Sequence, residues 1–397
     1  MTVVEPRLFI PPPSPEEREW VARVDRIADL IGEYREQGEQ HRATPQPVFE
    51  ALRDAGISRM WVSEDFGGGQ VALTTGSAVI QALARLDASV AWQMGVQGAI
   101  GRLSDYLPEP TSRKLFQDNT YLVVGGVNPS GSAERVPGGF RLTGEWSFAS
   151  GFAHAGWLVC AARVTEGGVA VQREAGPELR MLFVSRDDVE FLDTWRTIGL
   201  RGTGSNSYRV SDVFVPEEFT VDQADMLRPP SPRPSRGYPV GYYDFGPFTS
   251  ASTALGIARD AVDSARELTH RKTPAAGTAT LAASHTVQEK LARAEMLVHS
   301  SDVLLRNAAD QVTANGETGG DALSALVRLT AATVAEQTVA AVTIAFTLAG
   351  TGSIYSSSRL ERAFRDIHSA TKHITLSSSH FEMAGQYLLG GGLQMRR

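Results

Sequence analysis

Two hydrophobic periods follow one another along this chain, and the places where one gives way to the other divide it. Residues 14–107 repeat apolar positions every three to four residues, as amphipathic helices do. Ser14-Pro15-Glu16-Glu17 has the form of a capping box with proline at the first helical position, which predicts a helix running to about Gly38. Thr44-Pro45 opens a second helix that Gly56 stops. Residues 73–86 and 88–107 carry two more, after a Phe66-Gly67-Gly68-Gly69 loop. Residues 1–13 read as an extended arm.

From Tyr121 the period shortens to two. β-branched and aromatic runs at 121–127, 140–148, 157–164, 179–184 and 207–215, separated by Gly, Pro and Asn, predict the strands of a β domain that ends near Pro216. A run of prolines and arginines over 227–238 bars helix and central strand and reads as a surface loop or lid. Beyond Phe248 the longer period returns over 249–270, 281–315, 322–349 and 360–388, four Ala-rich helices with short connections, which predicts an antiparallel bundle. The expected division is a helical domain at 1–118, a middle β domain at 119–225, a Pro-rich linker or lid at 226–247, and the bundle at 248–397.

Composition narrows the function. The 397 residues carry 38 basic and 45 acidic side chains, a formal charge of −7 with no long like-charge run, which argues against a nucleic-acid or polybasic membrane partner. The single cysteine, Cys160, lies in an apolar run and reads as a buried small hydrophobe, so a reducing cytoplasm is the expected setting. The N-terminus lacks a signal-peptide pattern, and no apolar stretch is expected to reach the ~20 residues of a membrane span. Neither a strand–GxGxxG–helix unit nor a GxxxxGK[ST] loop occurs, so no nicotinamide or nucleotide is bound in those ways. His368, His373 and His380 invite a metal, but on one helix five residues turn roughly 140° and two turns span ~10 Å, so no metal is expected.

The candidate chemistry lies in Gly125 to Ala133 and Gly139 to Trp157, where alternation breaks into Ser147, Ser150, Gly151 and His154 among aromatics. Small hydroxyls beside glycines and flat side chains suit a planar ligand with polar edges. The plain reading is a strand and turn with Trp146 and Phe148 in the core.

Read together, these segments resemble the acyl-CoA dehydrogenase superfamily over essentially the whole chain. Asn128-Pro129-Ser130-Gly131-Ser132 is similar to that family's flavin-binding segment, and residues 144–151 to the strand along the isoalloxazine. Arg271-Lys272-Thr273 resembles the turn that reaches a neighbouring subunit's flavin, and Leu348-Ala349-Gly350-Thr351-Gly352 and Arg365-Asp366 the late bundle motifs. The resemblance implies an α+β chain of the acyl-CoA dehydrogenase fold, with a middle β-barrel or sandwich and a C-terminal four-helix bundle, assembled as a homotetramer. It also implies a flavin held by Asn128, Gly131, Ser132, Ser147, Phe148, Ser150, Arg271, Thr273, Gly350 and Gly352.

The departures point to a branch. A dehydrogenase needs a carboxylate base, yet Lys372, His373 and Ile374 stand in the segment where the common base falls. The alternative position falls near Pro247, where Asp244 reads as a surface or capping residue. Residues 147–157, Asp193-Thr194-Trp195, residues 199–205 and residues 360–368 instead resemble the flavin-dependent monooxygenases of the same fold, called group D. That resemblance implies reduced FAD, with FMN as the other candidate, supplied by a separate NAD(P)H:flavin reductase. It further implies O2 as co-substrate and hydroxylation of an aromatic or heteroaromatic small molecule through a C4a-hydroperoxide. His373 and Ser150 are the expected catalytic residues, and Trp92, Gln97 and Arg201 the substrate contacts. Gln97 stands where several relatives carry a histidine, and because glutamine cannot take a proton it favours a neutral ring such as indole. Arg201 either faces the flavin or braces its own turn. The other readings are a true acyl-CoA dehydrogenase and a non-catalytic ligand-binding protein on the same fold.

Overall fold

The structure is a computed structural model that describes residues 8–174, 176–231, 238–274 and 277–393. The first half of the arm and residues 232–237 of the proline-rich run lie outside these. Helix α1 (Pro15–Asp25) begins as expected, with Ser14 Oγ accepting the Glu17 N–H at 3.0 Å. The Glu17 carboxylate does not complete the capping box; it pairs instead with Arg306 at 3.0 Å. Nor does the helix run to Gly38. The Ile27 N–H bonds three residues back to Val24, a tightened turn, and α2 (Ala28–His41) starts afresh. Then follow α3 (Gln46–Asp54), α4 (Leu73–Leu86) and α5 (Ala88–Gly101), and the last gives way to a 3-10 turn at Arg102–Asp105 instead of reaching Leu107. A short α6 (Glu109–Ser112) leads to the sheet.

The strands are β1 (Leu122–Val136), β2 (Gly139–Ala149), β3 (Ala155–Glu166), β4 (Val169–Ala170), β5 (Gln172–Arg173), β6 (Gly176–Pro177), β7 (Leu179–Ser185), β8 (Glu190–Leu192), β9 (Asn206–Pro216) and β10 (Thr220–Asp222). Among the described residues, eight form one mixed sheet in the order β10-β7-β3-β1-β2-β9-β8, with β4 beside β3, and only β1 and β3 run parallel. The edge strands β8 and β10 are three residues long, too short to leave an alternating run in the sequence. Trp146 anchors the interior: its Nε1 donates to the Ala161 carbonyl at 2.8 Å. Its indole fills the space left by Gly131 and Gly144, where a Cβ would come within 2.2 and 2.6 Å of neighbouring atoms. Cys160 is fully buried, and burial pushes its thiol well up, so it packs as a hydrophobe.

The bundle starts early, with α7 (Tyr242–Arg271) taking in Pro247 as its sixth residue, just past the first turn. Helices α8 (His285–Asn315) and α9 (Gly320–Ala349) follow. Together with its following turn, Gly320–Ile354 is long and apolar enough by length and composition to cross a membrane, which corrects the expectation that no stretch is. Here α9 packs against α7, α8, α10 and α11. The fourth leg is not one helix. It divides into α10 (Arg359–Ala370), a 3-10 turn at Ile374–Leu376, and α11 (Ser379–Leu388). His373 caps that turn, so the common-helix geometry assumed for His368, His373 and His380 does not hold.

Candidate active site

Two bulges open the sheet side by side. Between Gly126 and Gly131 the β1–β3 register skips residues 127–130, and between Trp146 and Ala149 the β2–β9 register skips Ser147 and Phe148. They adjoin, since a Cβ on Gly126 would sit 3.3 Å from the Ser147 carbonyl. Asn128, Ser130 and Ser132 face outward while Gly131 and Ala133 face in, and Arg163 braces the first bulge at the Pro129 carbonyl, 3.0 Å away. Phe148 is not in the core. It adopts φ +68°, stands 68% exposed, and its ring meets Trp195 edge-on at 6.1 Å. Positive φ in a bulky residue is strained, and such strain gathers at functional sites. Ser147 is exposed and accepts from Ser207 Oγ at 3.2 Å.

Ser150 behaves differently. It is 3% exposed, and its hydroxyl meets Ser205 Oγ at 2.7 Å. Ser205 in turn meets Thr203 Oγ1 at 2.6 Å, and Thr203 donates to the Leu200 carbonyl at 2.9 Å. Leu200 is itself held at φ +51°, its N–H donating to Asp366 Oδ1 at 2.6 Å and its carbonyl also accepting from Trp195 Nε1 at 3.1 Å. Gly199 is required beneath it, because a Cβ would lie 2.3 Å from the Arg365 carbonyl. Arg201 braces this turn, donating to the Thr197 carbonyl at 3.0 Å and meeting Glu39 at 3.4 Å. His154 is structural: its Nε2 donates to the Thr44 carbonyl at 2.7 Å while its ring stacks on Phe49 at 4.2 Å, and burial lowers its proton affinity.

On the bundle side His373 contacts Trp92 edge-on at 5.3 Å. The imidazole Nδ1 lies 2.7 Å from Thr375 Oγ1, which donates to Ser250 Oγ at 2.8 Å. Burial pushes its pKa down to about 4, so the ring is neutral at pH 7. Gln97 is buried and its Oε1 accepts the Val123 N–H at 3.0 Å, which ties α5 to the start of β1. Asp244 is neither a surface nor a capping residue: it pairs with buried Arg328 at 2.5 Å and accepts from Ser324 at 2.6 Å. A carboxylate so engaged is no free base.

At one end of the bundle Lys272 Nζ donates to the Ala349 carbonyl at 2.7 Å, bringing the turns of Arg271–Thr273 and Gly350–Gly352 together. Arg271 is 76% exposed, paired only with Glu267 at 3.0 Å among the described residues. The predicted site residues thus form three groups: the sheet bulges with the Ser150 turn, the His373–Trp92 contact on the bundle side, and this exposed end of the bundle. Sequence reasoning missed Thr375 as the partner of His373, and Ser250 behind it. The signal was there: residues 248–253 put buried Thr249, Ser250, Ser252 and Thr253 where a bundle helix wants apolar side chains.

The residues fit a planar cofactor with polar edges, because two adjoining bulges free backbone and hydroxyl groups beside exposed aromatic rings. Comparison with known proteins agrees. Residues 14–106 match the acyl-CoA dehydrogenase N-terminal domain and residues 248–378 the acyl-CoA dehydrogenase C-terminal domain. The chain is 30% identical over 302 residues to the oxygenase component of an FADH(2)-dependent resorcinol hydroxylase from Rhizobium sp., covering 73% of this chain and 72% of that protein. It is 27% identical to an indole-3-acetate monooxygenase from Pseudomonas putida, over 93% of this chain and 92% of that one. XiaF from Streptomyces sp., solved in complex with FADH2 and glycerol, shares the fold with a TM-score of 0.89 at 22% identity, over 96% of this chain and 97% of that one. The chain belongs to the acyl-CoA dehydrogenase superfamily, in its branch of flavin-dependent monooxygenases.

Proposed function

We propose that this enzyme takes reduced flavin, FAD in preference to FMN, from a separate NAD(P)H:flavin reductase and uses O2 to hydroxylate an aromatic or heteroaromatic small molecule, with an indole-type ring as the first candidate. The observation that carries the reading is the absence of an available carboxylate where a dehydrogenase base would stand, combined with a neutral imidazole there. His373 occupies that segment, and Asp244 is consumed by Arg328 and Ser324. Reduced flavin supplies the electrons that activate oxygen. The chain's own groups do the rest. Residues 128–132, Ser147, Phe148 and Ser150 hold the ring along the bulges, and Arg271, Thr273, Gly350 and Gly352 hold the phosphate end. Trp92 walls the substrate space with an apolar face that keeps water out. His373, neutral at pH 7, accepts or relays the substrate's proton. Gln97 spends its carbonyl oxygen on Val123, so only its N–H donors remain for a substrate, and a donor cannot deprotonate a phenol.

The deciding experiment is anaerobic titration with reduced FAD and reduced FMN, followed by admission of O2 with indole or resorcinol as probes. Tight binding of reduced flavin with product formed per flavin oxidised is expected. Bleaching of bound oxidised flavin by an acyl-CoA without oxygen would point to a dehydrogenase, and failure to bind any flavin to a binding protein.

A further inference from the structure

Ser150, Ser205 and Thr203 form a chain of three hydroxyls, and such a chain has a direction. Three protons serve three contacts: Ser150 to Ser205 at 2.7 Å, Ser205 to Thr203 at 2.6 Å, and Thr203 to the Leu200 carbonyl at 2.9 Å. A carbonyl oxygen only accepts, so the last proton is Thr203's. Thr203 must then accept from Ser205, and Ser205 from Ser150. Any other arrangement leaves one contact with two lone pairs facing each other. All three side chains are at most 3% exposed, so water does not replace a lost partner cheaply. The terminal carbonyl is itself fixed, because Leu200 is held by Asp366 at its N–H and shares its oxygen with Trp195.

We propose that Thr203 and Ser205 are positioning residues that fix the Ser150 hydroxyl as a hydrogen-bond acceptor toward the flavin edge and so make the site select reduced over oxidised flavin. The inference rests on the proposed function, in which the flavin ring lies along Ser147 to Ser150. With its proton committed inward, Ser150 Oγ offers only lone pairs to a ligand. Reduced flavin carries an N–H at N5, which such an oxygen accepts; oxidised flavin carries a lone pair there, which it opposes. The same hydroxyl free to rotate would serve both states alike.

The test is the ratio of dissociation constants for oxidised and reduced FAD, measured anaerobically on the full chain by equilibrium dialysis. Thr203→Val keeps the shape but removes the terminal donor and the acceptor for Ser205. Ser205 then donates to Ser150, and Ser150 turns its proton outward. The preference for reduced FAD should fall roughly three- to tenfold, the size of one hydrogen bond, and Thr203→Ser should restore it. Ser205→Ala breaks the chain from its other end and carries the same expectation where Thr203→Val does not fold. An unchanged ratio in either folded variant overturns the inference. Ser150→Ala separates this from the reading beneath it: if both affinities stay at wild-type values, the flavin does not meet Ser150 and that placement fails. If Ser150→Ala weakens reduced FAD while Thr203→Val leaves the ratio alone, only the polarity of the chain is wrong.

Discussion

His373 shows what a single residue's surroundings decide. A histidine in water titrates near 6.5, yet burial pushes this one down to about 4, so its charge does not change across the working range of most enzymes. The folded-state value lies below the unfolded one, so the stability it contributes is present above about pH 6.5 and is lost as pH falls toward 4. His373→Ala removes a buried ring from its contacts with Trp92 and Thr375, so it should lower thermal stability at pH 7 by about 1–3 kcal/mol while the protein still folds. The rate of product formation should drop by ~10²–10⁴, with hydrogen peroxide released instead. Normal coupling in the variant would make the histidine a bystander beside Trp92. The residue types Ser150 and His373 were legible in the sequence because local motifs carry them. Their partners were not: Ser250 lies 125 residues from Thr375, and the left-handed Leu200 has no signature in a residue type that avoids positive φ. Phe148 misled for the opposite reason, since alternation in a strand assigns it to the core and only a bulge turns it out.

Elements were read well where a capping residue or glycine marks their ends, and poorly where the hydrophobic stripe runs through a break. Residues 73–86 match α4 because Asp87, which caps α5 through the N–H groups of Ser89 and Val90, ends one helix and starts the next. The fourth bundle leg breaks without interrupting its buried positions, since Ile367, Ala370, Leu376, Met383 and Ala384 all reach the core. The hydroxyl groups of Thr371, Ser377 and Ser379 take local hydrogen bonds there, offering the backbone an alternative to helix. Helix α10 also meets the turn that carries the hydroxyl chain. Asp366 is fully enclosed beside Asp87, and burial foremost, with that second carboxylate, pushes its pKa up to about 7. A folded value above the unfolded ~3.9 means stability that is full at low pH and lost as pH rises through about 7. Asp366→Asn keeps an oxygen for the Leu200 N–H without the charge. Its melting temperature should decline less than wild type's between pH 6 and 8, with a gain on the order of 1–3 kcal/mol at pH 8. Parallel curves for the two proteins would show that the neighbouring arginines already neutralise the group.

At the scale of the whole molecule, no hydrogen bond joins the two groups of predicted flavin contacts among the described residues. The Arg271–Thr273 and Gly350–Gly352 turns hydrogen-bond to each other and to α7, with no bond to β1 or β2 among the described residues. Beside them Ile354 and Tyr355 are each 66% exposed, an apolar pair at the end of a bundle. A second chain seated on Ile354 and Tyr355 would cover this apolar pair and bring Arg271, exposed beside it, to the edge of an interface. The family resemblance implies a homotetramer; the expected light-scattering mass is then four times the 42.8 kDa of one chain, and Tyr355→Glu should lower both the mass and the flavin affinity. The Arg271 pair with Glu267 is exposed and contributes little to folding, so Arg271→Ala should leave the melting temperature alone. Its charge-assisted contact to a flavin phosphate is typically larger, and the loss should weaken binding roughly tenfold to a hundredfold. Mixing tells whether that contact crosses between subunits. A hybrid of Arg271→Ala and Ser150→Ala chains contains sites built from the intact serine of one chain and the intact arginine of the other, so a fraction of tight sites should return that neither variant has alone. If both residues serve the same chain's flavin, every site in the hybrid carries one lesion, no tight fraction appears, and the assembly is not what completes the site.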